Sequence, residues 1–171
     1  YGSVTIIQAM DELIEYSEAL LREEFRNLPD GSWDVEAFID RDPGSASDDP
    51  LPVRMTLRIS GDQALMDFSE SAGPARGAVN ASEAVTVSGA VTTLKMIFPH
   101  IPMNQGVFRA VDFILPPSTL LSAKFPAPVS GCAAGVYPAV GGLRPQGLYP
   151  VDSRAMHGRS YRLAEHGYGG S

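Results

Sequence analysis

Two short loops carry the residues best suited to holding a charged ligand. In Gly73-Pro74-Ala75-Arg76-Gly77-Ala78-Val79-Asn80, a guanidinium and a side-chain amide stand beside the backbone donors of an expected helix start. Such a set can grip a carboxylate or a phosphate, because the guanidinium fork matches two oxygens at once and unpaired N–H groups at a helix start add partial positive charge. In His100-Ile101-Pro102-Met103-Asn104-Gln105-Gly106-Val107-Phe108-Arg109, proline and glycine stiffen a turn that presents a second amide and a second guanidinium. Arg76, Asn80, Asn104 and Arg109 are therefore the candidate contacts to a substrate or to another domain. Their role would be to orient or neutralise an anionic group, and no residue is assigned as acid, base or nucleophile. On the residues alone, the plainer reading of both loops is structural: a capped helix with a surface arginine, and a tight connection.

Other chemistries find little support. The chain has no GxxxxGK[ST] phosphate loop. Gly131-Cys132-Ala133-Ala134-Gly135 has glycines without the flanking strand and helix that a dinucleotide site requires, and reads as a turn. Cys132 would need a base and a lowered pKa to act as a nucleophile, and neither is readable. His100, His157 and His166 lack metal-ligand spacing, so no metal site is expected from these residues. The 171 residues carry a net charge of −7, and their 13 Lys and Arg are scattered, which argues against a nucleic-acid surface. One cysteine allows no internal disulfide, and charges or prolines interrupt every apolar run, so a cytoplasmic protein with no membrane span is expected. The opening Val4 to Ala9 has no basic flank or cleavage pattern, and the first residue is Tyr1 rather than methionine; the chain is expected to be an internal piece of a longer one.

The elements that must position these loops follow from periodicity. From Ser3 to Phe25, Ile6, Met10, Leu13, Leu20 and Leu21 recur at helical steps and are expected to face a core, and Leu28-Pro29-Asp30-Gly31 ends the helix. Trp33, Val35, Ala37 and Ile39 alternate with Asp34, Glu36 and Asp40 as in a strand, although Phe38 breaks the strict alternation. Arg41 to Pro52 reads as an exposed loop. Val53, Met55, Leu57 and Ile59, then a Gly61-Asp62 turn, then Ala64, Met66 and Phe68, form the clearest hairpin, with one face buried and the other wet. Asn80, with Glu83 three residues on, resembles a helix cap, and the helix should run to Phe98, stopped by Pro99 and Pro102. Val107 to Leu115 is expected to be one strand. The whole reads as an α+β fold: an antiparallel sheet with a clear hairpin, covered by two long helices, and an irregular C-terminal tail.

Several of these segments, taken in order, carry a resemblance. Tyr1-Gly2, Leu28-Pro29-Asp30-Gly31, Asp67-Phe68-Ser69, Arg76 to Asn80, Ile101 to Arg109, Leu120-Leu121 and Pro126-Ala127-Pro128-Val129 closely resemble the middle of hydantoinase B/oxoprolinase subunits, such as the N-methylhydantoinase B type. The likeness runs from Tyr1 to about Gly131. It implies part of the hydrolytic subunit of an ATP-dependent enzyme that opens a cyclic amide: a hydantoin, 5-oxoproline or a related lactam. It further implies an ATP-using hydantoinase A-type partner subunit or domain, with Mg and a divalent metal in the full complex. The family's metal-binding residues are expected before this stretch, and none carries over. Acetone and acetophenone carboxylases share the subunit type and are the rival reading; a purely non-catalytic assembly domain is the third.

Residues 132–171 depart from that pattern, where the family continues with a polar Gln-Arg segment and an amphipathic helix. Codons compatible with Val136 to Pro150, read one nucleotide later, can encode YTQRLVDCVLKAFTQ, whose apolar spacing suits that helix. A displaced reading frame is therefore expected, dividing the chain into a family-like part, 1–131, and a disordered tail, 132–171. Residues beyond about Val136 should then be irregular, having no evolved core to join.

Overall fold

The β2–β3 hairpin organises the molecule. In the computed structural model, which describes residues 2–145 and 148, β2 spans Leu51–Ser60 and β3 spans Gln63–Asp67, joined by Gly61 and Asp62 alone. Gly61 takes φ +59° at the first central position, which a side chain would strain. Val53, Met55, Leu57 and Ile59 are buried while Arg54, Arg58 and Ser60 are exposed, as strict alternation over a sheet with one covered face requires. Strand β1, Gly31–Ile39, pairs antiparallel with β2 along its full length.

The fourth strand departs from expectation. Val107 to Leu115 is not one strand: Val107–Ala110 forms a single helical turn, α3, and only Val111–Ile114 forms β4. Val107 and Ala110, three apart, are both buried, a helical rather than an alternating pattern. The sheet, ordered β1-β2-β3-β4, is also not wholly antiparallel, because β4 runs parallel to β3. The reason lies in the connection. A helix, α2 (Glu83–Ile97), intervenes between β3 and β4, and such a crossover returns the chain in the same direction.

Helix α2 buries Thr86, Gly89, Ala90, Thr93 and Leu94. Its N-cap is Ser82 rather than Asn80. Against it packs α4, Val136–Gly142, so closely that a Cβ on Gly89 would stand 3.2 Å from Val140 Cγ1. The expected irregular tail therefore begins later than Val136: Val136, Ala139, Val140 and Leu143 recur at helical spacing, and all four are buried. The rest of that expectation falls outside the described residues.

Helix α1, Ser3–Arg26, enters the core only through its second half. Ser17, Leu21 and Phe25 are buried, and the Phe25 ring meets Phe98 edge-on at 6.3 Å. Ile6, Met10 and Leu13, expected to face the core, are instead about half exposed. At 1.5 Å rise per residue, a helix of this length reaches roughly 36 Å, and because it packs chiefly on α3, with a lesser contact to β3, its first turns are left uncovered.

Candidate functional site

The candidate residues fall into two groups, and among the described residues no hydrogen bond or ion pair joins one group to the other. The first is a junction of loops. Asn80 is fully buried, and its side-chain amide serves as a clamp: its Oδ1 accepts from Ala75 N at 2.7 Å, and its Nδ2 donates towards the carbonyls of Ala75, Gly77 and Pro128 at 2.9–3.0 Å. Nearby, Gly131 N donates to Ala78 O at 2.7 Å, and Ala81 exchanges backbone hydrogen bonds with Leu120 and Ala123. The 76–80, 120–121 and 126–129 segments, far apart in sequence, are thereby one structural unit.

Asp42 completes this junction. Its carboxylate accepts from the backbone N–H of Gly44 (2.8 Å), Arg76 (2.7 Å) and Gly77 (2.7 Å). Burial works against its charge, yet these three N–H groups, with a smaller contribution from the Arg76 guanidinium, hold its carboxyl below the usual value. The two loops touch at their glycines. A Cβ on Gly44 would lie 2.4 Å from Gly77 N, and one on Gly77 would lie 2.6 Å from Asp42 Oδ1. With its backbone held, Arg76 points an exposed guanidinium outward that makes no hydrogen bond or ion pair among the described residues.

The second group lies on α1. Asn104 donates to Ser17 Oγ (2.7 Å) and Leu13 O (3.1 Å), and its Oδ1 accepts from Gly106 N (2.8 Å). Gly106 is required here, because a Cβ would stand 2.1 Å from Ile14 O. Further along the same loop, Arg109 donates to Glu18 at 3.4 Å, while its carbonyl accepts from Arg22 at 2.6 Å. Glu18 also pairs with Arg22, which with Arg26 reaches Asp62 at the hairpin tip. The bond from Arg22 outweighs partial burial, and with Arg109 it lowers the Glu18 carboxyl below its usual range. The Arg109 side chain remains 52% exposed.

Of the four residues, Asn80 and Asn104 thus spend their amides on their own chain, whereas Arg76 and Arg109 keep open guanidinium faces. Asp42 was missed in the sequence because acidic loops are usually solvated. Its only signal was Asp42-Pro43-Gly44, a turn sequence. Glu18–Arg22 was readable as a pair one helical turn apart. Among the described residues, no three of His, Cys, Asp or Glu converge to hold a metal ion, and no helix is long and apolar enough to cross a membrane.

The Hydantoinase B/oxoprolinase family model matches residues 1–159, running past Gly131, where the motif resemblance ended. The B subunit of a putative D-/L-hydantoinase from Pseudomonas sp. (strain NS671) is 28% identical over 141 residues, covering 75% of this chain and 23% of the relative. Among solved structures, the ATP-dependent caprolactamase from Pseudomonas jessenii superposes with a TM-score of 0.72 at 26% identity, covering 84% of this chain and 24% of that one. The nucleotide-free acetone carboxylase structure shares the fold, with a TM-score of 0.63 at 16% identity over 70% of this chain and 17% of its own. The chain spans about a quarter or less of each of these proteins. It belongs to the hydantoinase B/oxoprolinase family.

Proposed function

We propose that this chain is part of the hydrolytic subunit of an ATP-dependent cyclic-amide hydrolase that opens a hydantoin, 5-oxoproline or a related lactam. The supporting observation is the joint match to the family model and, at 26% identity, to a caprolactamase described as ATP-dependent. The chemistry is coherent. Resonance makes an unstrained amide a poor electrophile, so phosphorylation of its oxygen by an ATP-using partner subunit or domain, of the hydantoinase A type, prepares it for attack by water. The chain supplies no GxxxxGK[ST] loop of its own. In this reading Arg76 and Arg109 meet anionic groups of the substrate or of a neighbouring domain, and Asn80 and Asn104 hold the loops that present them. Mg and a divalent metal act elsewhere in the complex.

The test is an assay of the complete complex with ATP and, in turn, hydantoin, 5-oxoproline, caprolactam and a ketone with bicarbonate, following released phosphate and product. Ring opening coupled to phosphate release is expected. Carboxylation of the ketone alone would replace the reading with the carboxylase one. Full activity in a complex lacking this segment would reduce the chain to an assembly role.

A further inference from the structure

The exposed half of α1 is apolar where an isolated helix would be polar. Ile6, Ile7, Met10, Leu13 and Tyr16 are 49–61% exposed. Ile7, Met10, Ile14, Ser17 and Leu21 follow one another at alternating three- and four-residue steps, so they form a single stripe along the helix. Its C-terminal members are buried in the domain. The same stripe therefore enters the core at one end and leaves it uncovered at the other. This half is projected by the fold. The Asn104 loop grips the helix in its middle, at Leu13, Ile14 and Ser17, with Gly106 in backbone contact.

Charge narrows what can cover it. From Tyr1 to Leu21 there is no Lys or Arg, and Glu18 is already paired with Arg22 and Arg109, which leaves Asp11, Glu12 and Glu15 without a cation among the described residues. A second copy laid along the same face would bring acid rows together, a like-charge arrangement that costs stability. Anionic lipid would be repelled for the same reason. We propose that the N-terminal half of α1 is an intramolecular docking face, covered in the family-length polypeptide by a helix outside this chain that carries an apolar stripe flanked by Lys or Arg. Continuity with the buried stripe makes the occupant an extension of the same packed layer. The matched hydantoinase and caprolactamase chains are about four times longer than the region they share with this one, which leaves ample polypeptide to supply it. This inference rests on family membership and is independent of which reaction is catalysed.

The experiment replaces Met10 by photoreactive p-benzoylphenylalanine in the complete gene product, irradiates it, and maps the cross-linked peptides by mass spectrometry. Expected is a cross-link to a basic-flanked helix outside residues 1–171, with a yield that does not change on dilution, and loss of that cross-link when the probe is moved to Gln8, on the opposite face of the helix from Met10. A cross-link to α1 of a second copy, with a yield falling on dilution, overturns the proposal. So does a cross-link only to a co-purifying protein, and so does none from Met10.

Discussion

Replacing Asn80 by alanine tests the loop junction most directly. The amide is fully buried and serves one N–H and three carbonyls drawn from two segments 48 residues apart. Its removal strands those groups in a space the size of the lost side chain. An unsatisfied buried polar group costs about 1–3 kcal/mol, and the most exposed of the four, the Pro128 carbonyl, can turn to water, so roughly 3 kcal/mol is the expected total. For a chain of this length that corresponds to a fall of about 6–12 °C in Tm. The assay is thermal unfolding of the purified chain followed by circular dichroism, with Arg76→Ala as the exposed neighbour, expected to change stability by no more than about 0.5 kcal/mol. Equal, small shifts for both variants would refute the clamp. Asn80→Asp adds a second reading: it keeps the acceptor for Ala75 N but sets a charge among carbonyl oxygens. Burial and those oxygens would raise the folded-state pKa of the introduced carboxyl, so this variant should regain stability as pH falls through that value.

Asp42 should titrate in the opposite sense. Because its folded pKa is lowered, its contribution is full above the unfolded value of about 3.9 and lost as pH falls through the folded one, so Asp42→Asn should lower Tm at pH 7 and converge with the parent in strong acid. A gap that persists unchanged in acid would contradict this. Gly106→Ala should loosen α1 at a cost of roughly 1–3 kcal/mol, whereas Gly73→Ala, which meets open space, should be near neutral; equal effects in urea unfolding would dismiss the close approach. In the complete enzyme, Arg109→Ala should impair turnover more than folding, since its exposed pair with Glu18 is worth about 0–1 kcal/mol; an unchanged rate with a large stability loss would make the arginine structural. Finally, the coding DNA for Val136 to Pro150 should yield the family helix when read one nucleotide later, and codons incompatible with it would end the frame proposal.

What was legible in the sequence is what depends on local period. Val53 to Ile59 could be assigned to a buried face because a two-residue repeat with one wet side leaves no alternative, and the Gly61-Asp62 turn set the register. The direction of β4 was not legible, because pairing with β3 is decided by the crossover through α2 rather than by Val111–Ile114. Helix α1 shows the limit most clearly: its period says which face is apolar, but whether Met10 is covered depends on which distant segments reach it. The stripe of Val136, Ala139, Val140 and Leu143 was present in the residues and was set aside because the segment departs from the family's pattern. At the site, Arg76 and Arg109 were recognised by their loops, but the clamp of Asn80 on Pro128 and the seat of Asp42 are long-range contacts that no spacing announces.

The contact of Gly44 with Gly77 has a consequence for how this fold can vary. Two connections, one leaving β1 and one leaving β3, are riveted at a point where neither has room for a methyl group. Between Asp42 and Gly44 the path has no slack, so length can change only beyond Ser45, in the stretch of exposed Ser and Asp residues before Leu51. An affinity tag or fluorophore inserted there would leave the arginine loop undisturbed, while a single residue added two positions earlier would displace it.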